Sequence, residues 1–181
     1  KYDQAVAEYG KALEKDSDQV DIWREIADAY ELKNDYAQAI TAYQKYYDAL
    51  SQDKKTAESL FQLGRLYYGQ GTSSDTLSVR PADRATALQA ADSVFALVAR
   101  QAPDSYLGDM WRARTNSAMD PETTEGLAKP YYEKVAEMLL AKNEPRYNSA
   151  LIECYSYLGY YYLLKSDYPV SKEYWLSLIH I

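Results

Sequence analysis

The chain has one cysteine and one histidine in 181 residues, so it is nearly empty of the side chains that most often carry covalent or metal chemistry. With Cys154 alone, no disulfide can close within the chain. Its place beside Tyr155 suits a small buried thiol better than a reactive one. A histidine-dependent triad or a zinc-protease motif would have to use His180, next to the last residue. Gly69-Gln70-Gly71 lacks the third glycine and the lysine of a phosphate-cradling loop, and reads as flexible linkage. The carboxylate pairs Asp16 with Asp18 and Asp120 with Glu122 fall where helices are expected to start, complementing the helix dipole rather than forming a catalytic or metal pair. No catalytic residue, cofactor or metal ligand is therefore expected.

Two further absences narrow the choice. No apolar run approaches the roughly 18 residues that cross a bilayer, so no membrane insertion is expected of this stretch. Lys and Arg number 20 against 27 Asp and Glu, a net charge of -7, and the sequence pI is about 4.8. The bases are scattered among acids, which disfavours nucleic acid, because a phosphate backbone needs clustered cations to release its counterions. The composition is that of a soluble chain, and it leaves the compartment open between cytoplasm and periplasm.

What is abundant is tyrosine, 20 residues against two phenylalanines. A tyrosine ring packs while its hydroxyl reaches water, which suits a thin two-layer fold whose core lies near a surface. The tyrosines also recur with a period. Tyr2, Gln4, Ala5, Tyr9 and Lys11 return 34 residues later as Tyr36, Gln38, Ala39, Tyr43 and Lys45. A unit of this size cannot bury its apolar face alone, so units stack. Trp23, Ile26, Ala27 and Tyr30 set a first-helix pattern. Leu60, Leu63, Gly64 and Tyr67 repeat it, as do Tyr155, Leu158, Gly159 and Tyr162. A second-helix pattern pairs a small residue with an aromatic four positions on: Ala5 with Tyr9, Ala39 with Tyr43, Ala91 with Phe95, Ala128 with Tyr132, Ser171 with Trp175. Small residues let paired helices approach while large ones fill the space beside the crossing.

These residues resemble the tetratricopeptide repeat over nearly the whole chain. The resemblance implies an all-α fold, a right-handed α-solenoid of antiparallel helix hairpins. A single array over 1–181 is expected. Residues 1–18 form the second helix of a truncated repeat, and 20–53, 57–105, 106–143 and 149–181 form repeats, with an inserted loop at 70–81. The helices are expected at Tyr2–Lys15, Val20–Leu32, Tyr36–Leu50, Lys55–Gly69, Ala82–Arg100, Ser105–Ser117, Tyr147–Leu164 and Asp167–Ile179. Asn34 and Asp35 make the first turn. Asp120-Pro121-Glu122 reads as a helix start, and Pro130 requires the helix around it either to begin near Gly126, the favoured choice, or to bend at Lys129. The third repeat is the least regular, with Arg112 and Asn116 where the family usually has Leu and Tyr. The chain is expected to begin inside a larger array, so that any export or lipid signal lies upstream. No polar capping helix closes it.

The resemblance implies a binding function on a concave face lined by the second, fifth, ninth and twelfth positions of each repeat. Carried over, these are Asp21, Arg24, Asp28 and Glu31; Glu58, Phe61, Arg65 and Tyr68; Leu107, Met110, Arg114 and Ser117; and Glu153, Ser156, Tyr160 and Leu163. Arg24, Asp28, Glu31, Phe61, Arg65, Tyr68, Met110, Arg114 and Tyr160 are the candidate partner-binding residues. Some co-chaperones of the family clamp a C-terminal carboxylate with Lys and Asn. Here Asp28 stands in place of the asparagine and would repel it, which disfavours a heat-shock chaperone tail. The expected activity is that of a non-enzymatic scaffold binding a peptide or partner helix, as in bacterial scaffolds at the envelope or inside the cell. The alternative is a structural module of a larger envelope or regulatory protein that self-associates through its uncapped ends.

Overall fold

A computed structural model describes residues 2–15, 19–74 and 80–180. Among them the regular structure is helical, with no strand. The chain divides into two compact units, 1–94 and 95–181, and each is described by itself. The first holds α1 (Tyr2–Lys15), α2 (Val20–Leu32), α3 (Tyr36–Ala49), α4 (Ala57–Thr72) and the start of α5 (Pro81–Gln101). The second holds the end of α5, then α6 (Leu107–Met119), α7 (Lys129–Lys142), α8 (Asn148–Leu164) and α9 (Tyr168–Ser177).

In the first unit, α2 and α3 form a hairpin whose turn is written in the residues between them. Asn34 takes a left-handed conformation (φ 60), which asparagine tolerates, and the Asp35 carboxylate accepts the Gln38 N–H to cap α3. The second unit repeats the device. Ser166 has φ 60, and Asp167 caps α9 by accepting the Val170 N–H. Between α2 and α3 the small residues Ala27 and Ala39 are buried, and Tyr43, 4% exposed, fills the space towards α4, donating its hydroxyl to the Ser59 carbonyl at 3.1 Å. In the second unit Tyr132 is its counterpart, also 4% exposed, among Ala128, Ala136 and Leu158. Gly159 is needed where it stands, because a Cβ there would lie 2.8 Å from the Trp175 ring.

Several boundaries differ from expectation. Helix α4 continues through Gln70, Gly71 and Thr72, because Gly71 is buried against Leu88 of α5 and the last turn gains packing by staying helical. Of the loop expected at 70–81, residues 75–79 lie outside the described residues. Helix α6 starts two residues late, with the Ser105 hydroxyl accepting the Leu107 N–H. Two expectations around Asp120 are corrected. Asp120-Pro121-Glu122 starts no helix, and α7 begins at Lys129 rather than near Gly126, with Pro130 in its first turn. Asp120 ends α6, 5% exposed, and its carboxylate accepts the N–H groups of Thr124, Glu125 and Gly126 at 3.0, 3.1 and 2.7 Å. Those bonds hold the α6–α7 loop, and Gly126 (φ 72) supplies its left-handed turn. Burial alone would raise the Asp120 carboxyl. The amides outweigh it and hold it below the usual carboxylate range.

The irregular third repeat is polar at its signature positions, and each group is matched. Buried Asp109 pairs with Lys134 at 2.6 Å, and Arg112 stacks on the Tyr131 ring while donating to its hydroxyl at 2.8 Å. Asn116 donates to the Arg112 carbonyl at 2.9 Å.

Candidate interaction grooves

The groove side chains of the first unit come from the first helices of two successive repeats: Arg24, Asp28 and Glu31 of one face Glu58, Gln62 and Arg65 of the next across a shared groove. Helix α2 supplies one wall and α4 the other, because residues three and four apart share a helix face. Tyr43 and Tyr46 of α3 form the floor, and Lys54 and Thr56 the rim. The groove has a volume of about 450 Å³ and opens to solvent.

One ion pair among the described residues joins the two walls. Arg65 Nη2 donates to Glu31 Oε1 at 3.2 Å, while its Nη1 donates to Gln62 Oε1 at 3.0 Å on its own helix. Both members of the Arg65–Glu31 pair are about one-third exposed (39% and 31%), which keeps such a pair weak. Arg24 leans aside, 3.5 Å from Glu25 and 5.8 Å from the Tyr46 ring. Burial, reinforced by the charge of Glu25, pushes the Asp28 carboxyl above its usual range, and Arg24 and Arg65 offset this only in part. Burial likewise raises the Tyr43 hydroxyl.

The second unit has a smaller counterpart, about 190 Å³, between α6 and α8. Met110 sits at its base, 1% exposed. Here the arginine is taken. Arg114 Nε and Nη2 donate to Glu153 Oε1 and Oε2 at 2.8 and 2.7 Å, and the Tyr132 hydroxyl donates to the same carboxylate at 3.2 Å. Two parallel charge-assisted bonds fix a guanidinium far better than one.

Of the nine candidate residues, Arg24, Asp28, Glu31 and Arg65 come together in the first groove, and Met110 with Arg114 in the second. Phe61 and Tyr68 are half-buried and do not line the first groove. Tyr160 is 43% exposed and lies outside the second. Tyr46 and Gln62 line the first groove and were missed. Gln62 was legible, since it lies four residues after Glu58 and three before Arg65 on one helical face.

Among the described residues, no three His, Cys, Asp or Glu side chains are placed to hold a metal ion, and no helix is long and apolar enough to cross a membrane. Burial, with the Glu153 charge added, pushes the Cys154 thiol up to about 12. Asp16, Asp18 and the side chain of His180 lie outside the described residues.

No protein-family profile and no curated protein matches the chain. Its structure is similar to the crystal structure of the C-terminal part of a TPR repeat-containing protein from Cytophaga hutchinsonii, with a TM-score of 0.76 and 29% identity. The match covers 97% of this chain. The chain has the helix-hairpin fold of a tetratricopeptide-repeat array. It spans about 60% of the length of that structure, and the all-α architecture of helix hairpins anticipated from the repeat pattern is the one observed. Tetratricopeptide arrays are, as a class, protein-interaction modules.

Proposed function

We propose that this tetratricopeptide array is a non-enzymatic scaffold that docks an extended peptide or partner helix in the groove between α2 and α4. The observation that carries this is the open concavity itself: about 450 Å³, walled by polar side chains from two repeats over a floor of two tyrosine rings. Rigid aromatic area beside loosely held arginine and carboxylate groups is what a docked segment uses for affinity and orientation. Burying a partner chain there also strengthens every charge pair along the walls, since water leaves the groove.

The test is affinity capture with the intact chain, compared with a Gln62→Trp variant that fills the groove. A discrete partner retained by the first and lost by the second supports the assignment. A partner held equally by both places the contact elsewhere.

A second reading, self-association, is favoured by a difference between equivalent positions. Trp175 occupies on α9 the place that Tyr43 and Tyr132 occupy on α3 and α7, yet it is 41% exposed against 4% for each of them, and Leu176 and Ile179 beside it are 45% and 75% exposed. An apolar face of that kind suits a further helix or a second copy. Sedimentation velocity over a wide concentration range decides: a concentration-independent monomer removes this reading.

A further inference from the structure

We propose that the space beside Gly10, between α1, α2 and α3, is a second binding site that takes a small aromatic carboxylate, with the ring inside and the carboxylate accepting the Tyr30 hydroxyl. It shares no lining residue with the α2/α4 groove and is independent of the scaffold assignment. Three repeats can be compared at this place. Gln44 follows the second-helix tyrosine Tyr43, Glu133 follows Tyr132, and Gly10 stands at the same position after Tyr9. In the first two a side chain bridges to the next first helix. Gln44 Nε2 donates to the Tyr67 hydroxyl at 2.6 Å, and the Tyr162 hydroxyl donates to Glu133 Oε1 at 3.3 Å. Tyr67 and Tyr162 close the same first-helix pattern as Tyr30. At Gly10 there is no side chain to make the bridge. A Cβ there would meet no atom within 4 Å. Tyr30 has the Lys33 ammonium over its ring at 5.6 Å, and among the described residues its hydroxyl has no hydrogen-bond partner.

The space has a volume of about 190 Å³. Val6, Leu13, Trp23 and Ile26 give it apolar walls, and a cavity of about 150 Å³ lined by apolar side chains already admits benzene. A ring therefore fits. A carboxyl or carboxamide on that ring restores the bond that the other two repeats make with their own Gln44 and Glu133. Charge then selects the acid over the amide. Among the residues lining the space Lys45 alone is charged, its ammonium lying 4.1 Å from the centroid of the Trp23 ring with no ion pair among the described residues. No carboxylate lines the space to oppose an anion.

The probes are phenylacetate, phenylacetamide and acetate, each titrated calorimetrically against the whole chain. Phenylacetate is expected to bind with a Kd of about 1 mM or tighter, a modest demand for ten non-hydrogen atoms. Phenylacetamide should bind severalfold more weakly, the gap closing as salt rises or in Lys45→Gln. Gly10→Leu, which fills the space, and Gly10→Gln, which rebuilds the bridge to Tyr30, should each weaken phenylacetate at least about tenfold. Both replace a helical glycine with a better helix former, and circular dichroism melts confirm that they fold. Tyr30→Phe should weaken phenylacetate while leaving the melt in place, and Gln62→Trp in the other groove should leave binding unchanged. The proposal is overturned if phenylacetate does not bind at 10 mM, if acetate binds as tightly, or if both Gly10 variants bind phenylacetate like the parent. None of these results bears on partner capture by the α2/α4 groove.

Discussion

The two grooves start from the same pattern and end in different chemical states. Each sets an arginine at the ninth position of a repeat, Arg65 in one unit and Arg114 in the other, and each arginine meets a glutamate from a neighbouring repeat. Arg65 holds Glu31 through one nitrogen at 3.2 Å. Arg114 holds Glu153 through two, at 2.8 and 2.7 Å, with Tyr132 as a third donor. A repeat position thus says which way a side chain faces, and the neighbour decides whether it is free to bind. The first groove keeps an open surface of loosely held charge, whereas the second has turned the same residue types into structure.

The sharpest way to break this comparison is to remove the two equivalent buried rings, Tyr43 and Tyr132. Tyr43→Ala and Tyr132→Ala should each cost about 3–5 kcal/mol, because both rings are almost fully buried and their removal leaves cavities. Thermal or urea unfolding measures this. If either loss is under about 1 kcal/mol, that ring is not part of a packed core. The glutamates come next. Glu153→Ala strands Arg114 and the Tyr132 hydroxyl and should destabilise the protein by about 1–3 kcal/mol, discounted because the pair is about one-third exposed. Glu31→Ala should cost under about 1 kcal/mol. Equal losses from the two would erase the distinction between a latched groove and an open one.

Two titrations sharpen it further, with opposite signs. Asp120 has a folded pKa held below its unfolded value, so its contribution is present above the ordinary carboxylate range and is lost as pH falls towards the folded value. Asp120→Asn should flatten that acid limb of stability. The Asp28 carboxyl is raised, so its contribution is full at acid pH and is lost as pH rises through the folded value. Asp28→Asn should therefore leave stability at neutral pH unchanged or slightly higher, the smallest effect of the set. A marked loss there would mean that Asp28 has a structural partner.

Much of the fold could be read from spacing because the spacing is the packing. The period from Tyr2 to Tyr36, the small residues Ala27 and Ala39, and the Asn34-Asp35 turn each name a contact or a backbone conformation. Helix starts were less legible, since aspartate followed by proline suits both a cap and a loop anchor. At Asp120 the choice was made by three residues further on, Thr124, Glu125 and Gly126, whose amides fold back onto the carboxylate. The site was half legible for a similar reason. The repeat positions carried over from the family resemblance named the wall residues Arg24, Asp28, Glu31 and Arg65, but no local pattern shows that a carboxylate 39 residues beyond Arg114 occupies its guanidinium fork.

The most direct test places a photoreactive benzoylphenylalanine at Gln62 in the first groove and, separately, at Ser149 in the second, in the protein expressed in its own host. The account predicts a discrete protein adduct at position 62 that is lost when Asp28 and Arg65 are both replaced. Adducts at 149 alone, or at neither position, would contradict it.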